Sequence, residues 1–320
     1  MMPADFFRTL PQYFIPQHLL SKLMYVLTRC RLRVWKEWQI RWFIRRYGVD
    51  MSIAAEPDPL AYENFNHFFT RALKPDARPI VNGAHDIACP VDGAVSQLGA
   101  IQDGRIFQAK GHTFGLEDLL GNSIERAAPF RNGQFATLYL SPRDYHRIHM
   151  PLDGRLREMI YVPGRLFSVN ARTTSVVPGL FARNERVIAL FDTGAGPMAL
   201  VLVGALFVAS IETVWSGPVT PPFGRFRHPV PGRTPQCRGR RDAQERPSRD
   251  TSASLHVGKT IRQWDYQNEN IRLERGAEMG RFNMGSTVIV LFGPGRSTWR
   301  PGLNADMAVR MGELLGKIKN

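Results

Sequence analysis

The chain has 320 residues, with 42 Lys and Arg against 28 Asp and Glu and a formal net charge of +14. Its 43% hydrophobic and 10% aromatic content excludes a wholly disordered polymer and is ample for a core without disulfide staples. Cys30, Cys89 and Cys237 form no Cys-x-x-Cys pair, which argues against a disulfide framework or cysteine zinc site and fits a reducing compartment.

The first 50 residues carry nine Lys/Arg and three Asp/Glu. Trp35, Trp38 and Trp42 fall on one face of a helix, and Leu20, Leu23, Met24 and Leu27 repeat that spacing upstream. Arg29, Arg31, Arg33, Lys36, Arg41, Arg45 and Arg46 are interspersed. Tryptophan, leucine and cations on one amphipathic element suit a bilayer interface carrying anionic lipid. The same pattern also suits a helical hairpin packed on its own domain with a solvated basic face. No nucleic-acid-binding motif accompanies the charge, so nucleic acid is not an expected partner.

Beyond residue 75 the pattern turns to short β-rich runs: Ala136–Leu140, Val187–Phe191, Leu200–Val203 and Val288–Phe292. Turn signals bound them, including Asp92-Gly93, Asp103-Gly104, Asp153-Gly154 and Pro163-Gly164. Leu116–Leu120 is the best later helix candidate. The longest apolar run, Met198–Ile211, has 14 residues, whereas a spanning helix needs roughly 18 or more. No secretory pattern opens the sequence, so the expectation is a chain retained inside the cell. Arg225–Arg249 holds eight arginines, two acidic residues and several prolines, and reads as loop or disordered chain.

The expected organisation is α+β, with N-terminal amphipathic helices followed by a β-rich sandwich or barrel-like catalytic body. Its parts are a helical membrane-association region (1–62), a β-rich body (63–222), a basic insertion (223–270) and a C-terminal catalytic segment (271–320).

Three clusters carry the parts of a nucleophile triad. Asp92 sits at a turn, His146 and His149 follow a strand, and Ser286 opens the last strong strand after Gly285. No metal site is expected, because neither a His-Glu-x-x-His motif nor a cysteine cluster supplies further ligands. An ordinary serine hydrolase using Asp92, His149 and an intact Ser286 is one reading of these parts.

The longer motifs point elsewhere. Phe65-Asn66-His67-Phe68-Phe69-Thr70-Arg71-Ala72-Leu73-Lys74-Pro75 is followed by Arg78-Pro79, Pro90-Val91-Asp92-Gly93 and Lys110-Gly111-His112. Tyr139-Leu140-Ser141-Pro142-Arg143-Asp144-Tyr145-His146-Arg147-Ile148-His149-Met150-Pro151 comes next. Later come Tyr161-Val162-Pro163-Gly164, Ile211-Glu212-Thr213-Val214-Trp215, Glu278-Met279-Gly280-Arg281-Phe282 and Met284-Gly285-Ser286-Thr287. In this order they resemble the phosphatidylserine decarboxylases, pyruvoyl-dependent enzymes of the bacterial membrane-associated type. Two departures stand out: Met284 replaces the family's usual leucine, and Phe223–Asn270 is longer and richer in arginine and proline than the usual connection.

The resemblance implies an inactive single-chain precursor. His149, oriented by Asp92, would activate Ser286 against the Gly285 carbonyl. An N→O shift and β-elimination would release fragments 1–285 and 286–320, converting Ser286 into a covalent pyruvoyl group. That group would form a Schiff base with the amine of phosphatidylserine and act as electron sink for decarboxylation. His146 is a candidate proton donor to the resulting carbanion. The resemblance further implies a homodimer and a peripheral protein at an anionic membrane surface, on the cytoplasmic face of the bacterial cell membrane.

Overall fold

The computed structural model describes residues 9–207, 210–220 and 260–319. Most of the expected insertion therefore lies outside the described residues. Helices α1 (Pro11–Phe14), α2 (Gln17–Thr28), α3 (Arg33–Tyr47) and α4 (Phe65–Phe69) precede the β-rich body. Helix α3 carries Arg45 and Arg46 in its last turn and stops at Gly48, whose φ of 65° is open to glycine without steric cost.

The body is built from antiparallel ladders. In chain order its strands are β1 (Asp86–Ala88), β2 (Gly93–Ala100), β3 (Arg105–Ala109), β4 (His112–Gly115), β5 (Gln134–Leu140) and β6 (Arg147–His149). There follow β7 (Gly154–Val162), β8 (Arg186–Thr193), β9 (Gly196–Val203), β10 (Ile211–Thr213), β11 (Gly217–Pro218) and β12 (Arg262–Asp265). The last six are β13 (Arg272–Leu273), β14 (Glu278–Phe282), β15 (Ser286–Phe292), β16 (Ser297–Trp299), β17 (Ala308–Val309) and β18 (Leu314–Ile318). The main sheet runs β12-β7-β8-β9-β15-β5-β2-β17, with β13 also pairing β7. A smaller sheet, β11-β10-β14-β6, and a three-stranded sheet, β1-β18-β16, complete the frame of the site.

The central strands read as unbroken apolar runs because both faces of the main sheet are covered. Val187, Ala189, Phe191, Leu200, Leu202, Val288 and Val290 point into one core, together with Ile148, Ile211, Met279 and Phe282 from the smaller sheet. The alternating residues Ile188, Leu190, Val201, Val203, Ile289 and Leu291 point into a second core with Phe114, Leu119, Phe130, Phe167 and Phe181. This two-layer burial gives the expected α+β sandwich. The sheet path is open among the described residues, so the barrel-like alternative is not the form adopted.

One described strand lies inside the stretch expected as the basic insertion (223–270). Arg262–Asp265 pairs antiparallel with Tyr161–Glu158, extending the main sheet. A four-residue strand containing one large apolar residue, Trp264, is too short for its periodicity to stand out.

Helix α2 is inverted relative to a soluble amphipathic helix. It buries Gln17, Ser21 and Thr28 and exposes Leu19, Leu23 and Val26. The Gln17 Oε1 atom accepts a 2.8 Å hydrogen bond from Leu166 N, tying the polar side of α2 to the body. Helix α3 buries Ile40 and Phe43, while Trp38 and Trp42 remain 56% and 50% exposed. Among the described residues, no helix is long and apolar enough to cross a membrane.

Candidate active site

Of the expected site residues, His146 lies beside the Gly285–Ser286 junction where β5, β14 and β15 meet, whereas His149 pairs with Glu278 in β14 and turns its ring to Gly276 and Tyr145. Ser286 pairs with Leu140 as β15 enters the main sheet. The chain immediately after Leu140 folds back to bring His146 over the preceding turn. Asp144 Oδ2 accepts from Ser141 N at 2.7 Å, Asp144 N donates to Ser141 O at 3.0 Å, and His146 Nδ1 donates to Asp144 O at 2.8 Å.

His146 is completely buried, and its ring lies 4.1 Å from that of Phe69. A carbonyl can only accept, so the bond to Asp144 fixes hydrogen on Nδ1 and leaves a lone pair on Nε2. Among the described residues that Nε2 has no hydrogen-bonding partner. It lies 3.9 Å from the position a Cβ would take on Gly285. Burial pushes the His146 pKa down to about 3, so the neutral form occupies this place.

His149 ends β6. Its Nδ1 donates to Gly276 O at 2.7 Å, and its Nε2 stands 3.0 Å from Tyr145 Oη. Burial pushes the Tyr145 phenol up to about 12, so it keeps its proton and donates it to Nε2. Burial also lowers the His149 pKa, with the Gly276 carbonyl opposing that shift. Gly276 earns its identity here: its φ is 82°, and an added Cβ would approach Ile80 to 2.9 Å.

Asp92 lies just before β2, close to this strand end through the 2.9 Å bond from His149 N to Pro90 O. Its carboxylate does not take the hydrogen bond to His149 that was expected. Oδ1 accepts from Arg78 Nε and Met311 N, each at 2.9 Å, and Oδ2 accepts from Arg78 Nη2 at 2.5 Å. A bidentate guanidinium outcompetes a neutral imidazole for a buried carboxylate, and the Gly276 carbonyl fixes the imidazole instead. Asp92 holds the Arg78 pKa above its ordinary value.

The turn between β14 and β15 has its own supports. Asn283 N donates to Ser210 O at 2.9 Å, and Asn283 Nδ2 donates to Glu212 Oε1 at 2.8 Å. Met284 has a φ of 107°, an uncommon conformation for a residue with a Cβ. A cleft of about 400 Å³ opens beside this turn, lined by Arg29, Arg31, Arg281, Glu63, Glu212 and Asn283 among others. Cys89 is unsuited as a competing nucleophile, because burial pushes its thiol up to about 12.

Arg78, Tyr145 and Gly276 were not singled out as site residues from sequence. Arg78 and Tyr145 do lie inside the family-like motifs; Gly276 carries no motif signal at all. No group of three or more His, Cys, Asp or Glu among the described residues is arranged to hold a metal ion. The backbone of Gly285, next to residue 286, faces the buried His146 Nε2, which has no partner among the described residues.

The β-rich body brings a strained turn before Ser286 and a buried histidine to one place, and comparison with known proteins specifies the class. The family model for phosphatidylserine decarboxylase matches residues 65–317, and a second model, described as PSD, matches residues 7–48. The chain belongs to the phosphatidylserine decarboxylase family. It is 57% identical over 304 residues to the phosphatidylserine decarboxylase proenzyme of Bordetella pertussis, covering 95% of this chain and 92% of that one. It is 54% identical over 306 residues to the proenzyme of Pseudomonas putida GB-1, covering 96% of each chain. With the Pseudomonas aeruginosa LESB58 proenzyme the identity is 55% over 308 residues, again covering 96% of each. The hydrolase alternative finds no support in these relatives.

Proposed function

We propose that the chain is a proenzyme that cuts itself between Gly285 and Ser286 and then decarboxylates phosphatidylserine to phosphatidylethanolamine. The observation that carries this reading is the Gly285–Ser286 junction, set between the strained Met284 backbone and β15 and faced by the bare Nε2 of His146.

In the first reaction His149 takes the Ser286 hydroxyl proton while the serine oxygen bonds to the Gly285 carbonyl carbon. The peptide C–N bond breaks, and the freed amine takes up a proton. Elimination then removes the Cα proton of residue 286 and breaks the ester Cβ–O bond, freeing residues 1–285 with a C-terminal carboxylate. The dehydroalanine left at the start of 286–320 tautomerises to an imine, which water hydrolyses to the pyruvoyl ketone with release of ammonia. The Gly276 carbonyl keeps hydrogen on His149 Nδ1, so the lone pair needed for this task stays on Nε2. Tyr145 must release Nε2 as the serine proton arrives. Asp92 acts through Arg78 and the Met311 amide, holding the loop against which His149 is docked.

When formed, the pyruvoyl group supplies the electron sink for the electrons left by departing CO2. His146 handles the proton returned to the substrate carbon: its neutral Nε2 first takes a proton from the substrate ammonium, freeing the amine to react, and gives that proton to the carbon after CO2 leaves. Its completely buried ring excludes water from that transfer and fixes which nitrogen receives and gives the proton.

The substrate is a diacyl lipid, and the surface of α2 and α3 suits the bilayer that holds it. Leu19, Leu23, Val26, Leu32 and Val34 are exposed beside the stacked Trp35, Trp38 and Trp42 rings. We infer a peripheral protein at an anionic membrane surface, and the arginines of the neighbouring cleft favour an anionic headgroup. A homodimer is part of the same reading and is tested by light scattering in detergent.

Denaturing electrophoresis with intact mass measurement tests the central claim. Two fragments are expected, the smaller spanning residues 286–320 with a keto-acyl N-terminus that resists Edman degradation. A folded chain that stays at 36.2 kDa with an unmodified Ser286 overturns it.

A further inference from the structure

The scissile turn is gripped from outside its own sheets. Helix α4 is capped by Asn64, whose side chain accepts from His67 N. The next residue but one, Asn66, donates from Nδ2 to Asn283 Oδ1 at 2.9 Å, across 217 positions of sequence. Asn283 is completely buried, and its other amide and backbone bonds run to Glu212 and Ser210. The following residue, Met284, packs on a cluster formed by Ile40, Phe43, Tyr62, Phe65, Phe68 and Phe69. Phe69 also packs against His146, the ring planes tilted by 41°. One short helix therefore touches Asn283, Met284 and His146, the three groups that surround Gly285.

A non-glycine residue keeps a φ of 107° only where its surroundings over-determine it. Here Asn66 fixes the residue before Met284, the aromatic cluster holds its side chain, and β15 fixes the chain beyond. The cluster in turn rests on α3, since Phe43 lies 5.1 Å from Phe65 and 5.8 Å from Phe69 between ring centroids.

We propose that α4 is the positioning element of self-scission. Asn66 and the Phe65/Phe68/Phe69 face hold the Asn283–Gly285 turn in the bent path that presents the Gly285 carbonyl to attack, and α3 braces α4 through Ile40 and Phe43. The inference rests on the self-cleavage reading above. Asn66 touches none of the reacting atoms; it acts through Asn283. The helical region that carries the membrane-facing surface thus has a second task on its inner face.

The test is a cleavage time course on the full chain, comparing wild type with Asn66→Asp and Asn66→Ala. Asn66→Asp keeps the shape but replaces the donor with an acceptor facing Asn283 Oδ1. Scission is expected to slow by roughly tenfold to a hundredfold. The uncut material should resist hydroxylamine, because the amide has not yet shifted to an ester. Melting temperature, read in a Ser286→Ala background, should move by less than about 5 °C. Asn66→Ser retains a hydroxyl donor and should recover part of the rate, which decides the matter if the alanine variant folds poorly. Scission of Asn66→Asp at the wild-type rate overturns the proposal, as does accumulation of a hydroxylamine-labile ester or equal rates for the serine and alanine variants. An uncut wild-type chain would instead sink the self-cleavage reading itself.

Discussion

His146 Nε2 lies 3.9 Å from the position a Cβ on Gly285 would take, and among the described residues that nitrogen has no hydrogen-bonding partner. A buried lone pair without a donor is costly unless some state of the protein uses it. The state that would use it is the one with substrate at residue 286. Replacing His146 with alanine should therefore leave scission intact and lower decarboxylation by roughly two to four orders of magnitude. Single-turnover CO2 release from the processed variant measures this. Normal scission combined with a wild-type decarboxylation rate would remove His146 from the reaction.

The pH dependence of scission follows from His149. Its pKa lies below the ordinary histidine value, chiefly through burial, so its base form survives to lower pH than that of a solvated histidine. The first-order cleavage rate should therefore fall to half its high-pH plateau only below about pH 6.5. A rate already halved at about pH 6.5 or above would show that a base without a lowered pKa controls the step.

How much of this was legible in the sequence depends on the range of the interaction. Val187–Phe191 and Val288–Phe292 announce buried strands because each is a local apolar run, and the exposed Trp38 and Trp42 announce themselves by helical spacing. Asp92, His149 and Ser286 stood out through motifs. The bonds that set their geometry join distant segments: Arg78 to Asp92, Gly276 to His149, Asn66 to Asn283. A sequence gives the residue types at such contacts but not which cation or carbonyl wins the competition. That is why the expected Asp92–His149 bond gives way to two others.

Asp92 and Arg78 form a half-enclosed ion pair, with side chains 10% and 11% exposed. Breaking it leaves one buried charge uncompensated, at a cost of about 3–5 kcal/mol. Asp92→Asn and Arg78→Gln should each lose stability of this order in urea unfolding of the Ser286→Ala background, and each should leave the chain uncut when Ser286 is present. Normal cleavage in Arg78→Gln alone would mean that Asp92 reaches His149 without its guanidinium partner.

Both buried histidines also make stability pH-dependent. Their folded pKa values lie below the unfolded value near 6.5, so above that pH neither state binds the proton and stability is complete. As pH falls below about 6.5, the unfolded chain takes up protons that the folded chain refuses, and stability declines, for His146 by up to about 1.4 kcal/mol per pH unit. For His146 the decline continues towards about 3. Urea midpoints of the Ser286→Ala chain at pH 7, 6 and 5 should fall accordingly, and the added substitution His146→Phe should make the fall shallower. An identical slope with phenylalanine at 146 would contradict the buried neutral state.

The outward face of α2 offers a separation of attachment from chemistry. Leu19, Leu23 and Val26 are exposed, whereas the polar Gln17, Ser21 and Thr28 of the same helix face the protein. Burying such a side chain in the interfacial region is worth about 1.5–3 kcal/mol at full burial, so three together dominate the affinity of one helix for a bilayer. The triple variant Leu19→Ser, Leu23→Ser, Val26→Ser should lose flotation with anionic vesicles while still cutting at Gly285, because the inner residues Ile40 and Phe43 that brace the scissile turn are untouched. Flotation of the wild-type chain should weaken as salt rises, through screening of Arg41, Arg45 and Arg46. Undiminished, salt-insensitive flotation of the serine variant would mean that another surface carries the attachment.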